Sequence, residues 1–295
     1  MNDSEVENVA NKYTVFGRVT PEQKAILVRT IKGAGNTVAM TGDGVNDILA
    51  LKEADCAISV ASGSEAARNV SHLVLMDNNF GSMPKVVSEG RRVINNIKNS
   101  SSLYLMKTLF TAILATLCII MGNAYLFMPS NMLLLEVCII GIPSFFLSLQ
   151  PNNSRVEGKF ITHVMSRSIS GAVLMIICVM AMYLTHVFND AQFGQMYVAM
   201  CMIALTFSGL VMLYRVCQPF NAYRLVLFLT MVGICITAFA VPFISNMLYT
   251  GYSDLPWEIM HYLIVAVVIE AAFPLSQSLI KIMQIVMPSS TGKKK

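Results

Sequence analysis

The stretch MTGDGVND (40–47) places two carboxylates, Asp43 and Asp47, one amide, Asn46, and two glycines, Gly42 and Gly44, within a single short segment. Carboxylate oxygens are hard ligands of the kind Mg²⁺ takes, and the Asn46 amide can donate to a phosphate oxygen. Gly42 and Gly44 allow backbone angles that side chains forbid and let a ligand approach the chain closely. Asp-Gly alone is a common turn dipeptide, whereas all of TGDGVND at the end of a strand argues for a binding turn. Upstream, VFGRVTPEQK (15–24) ends on Lys24. A lysine there is ordinarily a solvated surface charge. Beside two carboxylates and a phosphate it would neutralise negative charge.

The flanking pattern says what positions this turn. NTVAM (36–40) is an apolar, β-prone run. VNDILALKEA (45–54) has helical spacing, with Val45, Ile48, Leu49 and Leu51 apolar. CAISV (56–60) and SHLVLM (71–76) read as further strands, with a helix at 64–70 between them. Strand, turn, helix and strand in this order predict α/β organisation with a parallel sheet. The turn then lies at the carboxyl end of a strand, where open α/β sheets bind ligands. Thr20 is placed to cap a helix that opens with Pro21.

The rest of the chain has a different composition. Of 295 residues 55% are hydrophobic and 13% charged, with a mean hydropathy of +0.60. A soluble domain does not need so much apolar mass, and the excess points to membrane helices. It is concentrated after residue 98, in six apolar runs at about 103–122, 131–150, 169–188, 195–214, 225–247 and 260–280. Each is near the roughly 20 residues a crossing requires. The opening MNDSEVENVANKY is acidic and polar, unlike a signal peptide. After Lys98, every Lys and Arg except Lys107 falls in a loop after an even-numbered run or at the end of the last run; the other loops carry Asp190, Asp254 and Glu258. This asymmetry predicts that residues 1–98 and the TGKKK tail (291–295) are cytoplasmic. The tail lysines are expected to hold the last helix against anionic headgroups. The net charge of +4 is accounted for by this topology, and a nucleic-acid partner is not expected. The seven cysteines show no CxxC or Cys/His metal spacing and read as buried free thiols.

Four segments together resemble the P-type ATPases of the haloacid dehalogenase superfamily: VFGRVTPEQK (15–24), TGDGVNDILALKEAD (41–55), VLMDNNF (74–80) and EGRRVINNIKNSSSLYL (89–105). They come in that family's order and spacing and lead into a membrane helix as the family does. The resemblance covers essentially the whole chain, as the C-terminal third of a pump. Six following membrane runs are similar to the calcium, magnesium, sodium and proton pumps; heavy-metal pumps have two. The implied fold is an α/β, partial haloacid-dehalogenase-like (Rossmann-like) domain over 1–98, followed by an all-α bundle of six transmembrane helices over 99–295. By resemblance Asp43 is the Mg²⁺ ligand, Asn46 and Lys24 hold the transferred phosphoryl group, and Asp47 positions the lysine and the loop. Thr41, Gly42 and Gly44 complete the phosphate loop. The implied activity is ATP-driven cation transport through an aspartyl phosphate, with Mg²⁺ and ATP as cofactors, in a bacterial plasma membrane with both termini cytoplasmic. The family's DKTGT motif with the phosphorylated aspartate does not occur in this sequence, nor do its nucleotide-binding domain, actuator TGE loop and first four membrane helices. The chain is therefore expected to hold one wall of an active site, with ATP bound mainly by a missing N-terminal half, and to be inactive alone.

In this family cations bind within the membrane, among helices that include counterparts of the first and second runs here. Charge inside a membrane is costly, roughly 2.5–3.5 kcal/mol per group on insertion scales, which singles out Lys107 and Glu136. The segment EVCIIGIPSFFLSLQPN (136–152) resembles the sixth pump helix. Pro143 has no amide hydrogen, so the carbonyl of Ile139 loses its helical partner and becomes a candidate cation ligand. Hydropathy alone puts Lys107 near the cytosolic end of its run, where it could snorkel, and Glu136 near the outer end of its own, whereas alignment to the family's motifs puts the two closer together. Thr108 and Thr111 are either path-lining oxygens or helix-packing residues. A divalent cation, Ca²⁺ ahead of Mg²⁺, is implied by resemblance, although Ile140 stands where calcium and sodium pumps have an acidic residue. Two other readings compete: a non-catalytic membrane binding or assembly module derived from such a pump, and a membrane-anchored phosphatase of the same superfamily. The phosphatase needs an upstream DxD nucleophile, and Asp3 in MNDSE is the only aspartate before Asp43.

Overall fold

Reciprocal side-chain caps set the first elements. The computed structural model describes residues 2–156, 158–188, 194–247 and 259–286, in two units, Met1–Ser88 and Glu89–Lys295. In the first unit, α1 (Asp3–Val9) is capped by Asn2 with Glu5. α2 (Pro21–Gly33) is capped by Thr20, whose hydroxyl accepts from the Gln23 amide at 3.3 Å while the Gln23 side chain accepts from the Thr20 amide at 3.2 Å. Two orphan amides are satisfied by one sequence pattern. β1 (Ala39–Thr41) runs into the turn. A 3₁₀ turn, Val45–Asp47, then leads into α3 (Ile48–Glu53), β2 (Cys56–Val60), α4 (Glu65–Val70) and β3 (Leu73–Leu75).

The three strands form a parallel sheet in the order β1-β2-β3, with Ala39 opposite Cys56 and Ile58 opposite Leu73. Parallel neighbours need a crossover, and α3 and α4 supply the two. Leu51, Ala57 and Ala67, all fully buried, form the core beneath the sheet. Val28 packs with Ala50 and Ala54 where α2 meets α3. Asp55 ties strand starts to helix end: its carboxylate accepts from the Val38 amide at 2.9 Å and meets Lys32 at 3.0 Å. These bonds hold the Asp55 carboxyl below its ordinary range, the Val38 amide contributing most.

The second unit is helical. It takes α5 (Met83–Ile120) from Glu89 onward, a 3₁₀ turn at Pro129–Met132, a π-helical segment at Leu135–Gly141 and α6 (Ile142–Leu149). These are followed by α7 (Phe160–Phe188), α8 (Gly194–Cys217), α9 (Ala222–Ala240), α10 (Pro242–Met247) and α11 (Ile259–Val286). Among the described residues six helical spans are long and apolar enough to cross a membrane. α8 is the central one: 72% of its apolar window is buried, against 17% for that of α11. It packs on α7, α9, α11 and the π-helical segment. Gly209 makes the last of these contacts possible, because a Cβ there would stand 2.5 Å from Ile139 Cδ1. Small residues let membrane helices approach in this way. Polar atoms add crosslinks. Ser168 donates to the Ser102 carbonyl at 3.0 Å, and Asn96 donates to the carbonyls of Ser148 and Gln150 at 2.9 and 3.0 Å, satisfying the frayed end of α6.

Helix ends differ from the apolar runs for physical reasons. α5 begins at Met83 and α7 at Phe160, well before the runs at 103 and 169. Apolarity marks the lipid-facing length, whereas the polar turns before it remain helical. α9 ends at Ala240 because Pro242 offers no amide to continue it. The TGKKK tail and the loop acids Asp190, Asp254 and Glu258 lie outside the described residues.

Candidate functional site

The turn after β1 is built around Asp47. Its Oδ1 pairs with Lys24 Nζ at 2.7 Å, and its Oδ2 accepts from the Gly44 amide at 3.4 Å. The Asp47 side chain is only 11% exposed. It fills the place a side chain at residue 42 would occupy, since a Cβ on Gly42 would lie 2.5–2.9 Å from three Asp47 atoms. The Asp43 carbonyl accepts from the Ser64 amide at 2.7 Å, and the Gly42 amide donates to the Ile58 carbonyl at 3.0 Å. The turn is thus held to β2 and to the start of α4. Lys24 sits one turn into α2, where the Thr20 cap fixes the helix start.

With both oxygens of Asp47 engaged, the two carboxylates of the turn are not equivalent. Asp43, Asn46 and Thr41 project to solvent. No group of three or more His, Cys, Asp or Glu side chains able to hold a metal occurs among the described residues. Asp43 therefore offers one hard oxygen ligand, a number that suits Mg²⁺, which commonly takes one or two carboxylates with phosphate and water completing its shell.

In the second unit the structure brings Lys107 and Glu136 together as an ion pair, from α5 and the π-helical segment. Their side chains are 29% and 47% exposed. The different depths suggested by hydropathy do not hold, and the closer placement implied by the motif alignment does. The backbone after Glu136 is π-helical up to Gly141, with the Ile142 amide donating to the Val137 carbonyl. Continued by one residue, this register sets Pro143 opposite the Cys138 carbonyl, and regular α-helix would set it opposite that of Ile139; Pro143 has no amide hydrogen for either. The Ile139 side chain is fully buried and Pro143 is buried. Only the backbone of Ile139 is therefore a candidate ligand. Thr108 returns its hydroxyl to the Tyr104 carbonyl at 3.1 Å, and Thr111 is half-buried. Ser144, which sequence reasoning passed over, has a buried hydroxyl with no hydrogen-bond partner. Its position directly after Pro143 was the available signal.

Comparison with known proteins identifies the lineage. No family model matches the chain. It is 34% identical over 257 residues to the "Probable cation-transporting ATPase exp7" of Streptococcus pneumoniae, covering 84% of this chain and 33% of that protein. It is 36% identical over 251 residues to the calcium-transporting ATPase CtpE of Mycobacterium tuberculosis, covering 81% of this chain and 32% of that protein. The chain belongs to the P-type cation-transporting ATPases. It spans about one third of the length of these relatives. A calcium-transporting ATPase of Bacillus cereus is 34% identical over 179 residues. As a P-type ATPase portion with six membrane-length helices, the chain is an integral membrane protein.

Proposed function

We propose that this chain supplies the Mg²⁺ and phosphoryl-holding wall, and part of the cation path, of an ATP-driven pump that works through an aspartyl phosphate. The first unit is read as part of a haloacid-dehalogenase-like domain. The observation that carries the reading is the turn in which Asp47 spends both oxygens holding Lys24 and the loop, leaving Asp43 and Asn46 open. Asp43 would hold Mg²⁺. When bound, the ion neutralises phosphate charge and stabilises the charge that develops in transfer. Lys24, oriented by Asp47, would place its ammonium against a phosphoryl oxygen, and Asn46 would donate a hydrogen bond to another. Phosphoryl transfer needs this positioning and charge neutralisation more than covalent help. The aspartate that is phosphorylated, and most of the ATP contact, would come from a segment carrying DKTGT.

The Lys107–Glu136 pair and the carbonyls before Pro143 are read as the cation path. An ion pair is neutral, so a divalent cation bound here would need further acidic oxygen from the rest of the pump. This weakens the case for a calcium-type site built from this chain alone. The similarity to calcium-transporting relatives keeps Ca²⁺ ahead of Mg²⁺. The Lys and Arg asymmetry supports cytoplasmic termini.

The test is phosphorylation by radiolabelled ATP. The chain alone should form no acid-stable phosphoenzyme. Co-assembled with a P-type front portion carrying DKTGT and the nucleotide-binding domain, it should form one. In that assembly Asp43→Asn should lower the level by about a hundredfold, the scale of losing one pre-placed charge-stabilising group. An Asp43→Asn assembly phosphorylated as well as the wild type would refute the assignment.

A further inference from the structure

The π-helical segment meets α9 at two cysteines. Cys138 of the segment and Cys235 of α9 are 3% and 0% exposed. Both are free, and their thiols are hydrogen-bonded to each other. The contact comes from the packing of α9 on the segment, between residues far apart in sequence. A disulfide requires two side chains that converge, and thiols in mutual contact already do.

Cys138 also lines an apolar groove of about 460 Å³ between the π-helical segment and α9, with Ile244 of α10 in its wall. Val137 and Ile234 form part of it and are 41% and 40% exposed, so the groove opens at the surface of the bundle. No charged side chain occurs among its described lining residues. Two threonines line it, Thr230 and Thr237, and both return their hydroxyls to the helix, at 2.8 Å from the carbonyls of Val226 and Gly233. The walls therefore present carbon, and the reactive group they offer is the Cys138 thiol, with Cys235 behind it.

We propose that Cys138 and Cys235 form a redox-active dithiol and that the groove takes up a membrane quinone as its two-electron oxidant. Quinones dissolve in the bilayer and oxidise protein dithiols. The groove volume falls within the roughly 300–1,000 Å³ of small-molecule sites, and its apolar walls disfavour a charged oxidant from water. In the step two S–H bonds break and one S–S bond forms. The two electrons and two protons pass to the carbonyl oxygens of the quinone, which leaves as a hydroquinone. The bond would tie the π-helical segment to α9. The site uses neither the turn at Asp43 nor ATP, so its test is independent of the pump reading.

The experiment uses the 295-residue chain in lipid nanodiscs, with non-reducing peptide mapping and hydroquinone formation as readouts. Three oxidants are added separately: decylubiquinone, whose fully substituted ring retains no thiol adduct; a sulfonated quinone of similar potential; and diamide. Decylubiquinone should produce the linked Cys138–Cys235 peptide with one hydroquinone per chain, and dithiothreitol should reverse it. The sulfonated quinone should react at least about tenfold more slowly, because its charge keeps it out of an apolar groove. Cys235→Ala should abolish hydroquinone formation, whereas Cys178→Ala, a buried thiol outside the groove, should leave it unchanged. Gly233 lines the groove, and a Cβ there meets nothing within 4 Å, so Gly233→Leu fills the space without a clash at Cβ. It should lower the rate with decylubiquinone, relative to that with diamide, by about tenfold or more, the scale of discrimination in an apolar pocket. Absence of the linked peptide, or equal rates with the two quinones, would make the groove a lipid contact and overturn the proposal. An unchanged rate ratio in Gly233→Leu would place the oxidant elsewhere and overturn it as well.

Discussion

Two lysine–carboxylate pairs define the chemistry at the scale of single residues, and they differ in what surrounds them. Lys24–Asp47 sits in a soluble turn, where the aspartate is also bonded to a backbone amide and packed against Gly42. Its geometry is overdetermined, as the proposed role of Lys24 against a phosphoryl oxygen would require. Lys107–Glu136 joins two membrane elements in a setting where an unpaired charge is costly. Each partner should therefore stabilise the other more than an exposed surface pair would. In lipid nanodiscs, a double-mutant cycle of Lys107→Ala and Glu136→Gln should give a coupling energy of about 1 kcal/mol or more. Thermal unfolding of the four proteins measures it. A coupling near zero would mean that the two side chains act separately, and the cation path would lose its internal counter-charge.

Among the elements, the π-helical segment before Pro143 is where the backbone departs from the regular pattern. Pro143 and Gly141 were legible in the sequence as a weakened turn. The π register was not: a proline is compatible with several local breaks, and the segment that adopts this one also packs Ile139 against Gly209 of α8, a contact between elements far apart in sequence. The same limit explains other differences. Strand identities were readable from β-prone runs, and the Thr20 cap from its local pattern. The pairing of Lys107 with Glu136 was not readable from hydropathy, since helix tilt and register decide depth. The exposed state of Asp43 beside an engaged Asp47 needed the fold of the turn. Orphan buried hydroxyls such as Ser144 leave no periodic trace. The break itself makes a prediction. Pro143→Ala restores an amide hydrogen and should let the segment close into α-helix, raising stability by about 1 kcal/mol, one added hydrogen bond. Amide exchange should slow over Cys138–Ser144. In an assembled pump, the same change should blunt cation-dependent activation, because the carbonyls are no longer open. Unchanged exchange would show that packing at Gly209, and not the proline, sets the π register.

For the whole molecule, the distribution of charge orders the helices. The loop after α6, the polar start of α7, the end of α8 and the start of α9 line one common cavity and so belong to one end of the bundle, and this is where the loop lysines and arginines gather. Short loops rich in Lys and Arg stay on the cytoplasmic side, so this end should face the cytoplasm. The opposite end carries the turn after α5, with Gly122 and Asn123, and no Lys or Arg there. Six crossings return the chain to its starting side, so both ends of the membrane region should be cytoplasmic. Single cysteines test this in a chain whose seven native cysteines are replaced; five of those are buried and two half-buried, so replacements should be small and apolar. A cysteine at Asn123, between the first two spans, should react with an impermeant thiol reagent added to intact cells. A cysteine at Gln218, between α8 and α9, should react only after the membrane is opened. The reverse pattern would place the Lys- and Arg-rich loops outside the cell, against the charge rule that orients membrane helices. Residues 1–98, which precede the first span, would then lie outside as well, and the proposed action of the Asp43 turn on a phosphoryl group from cytoplasmic ATP would fail.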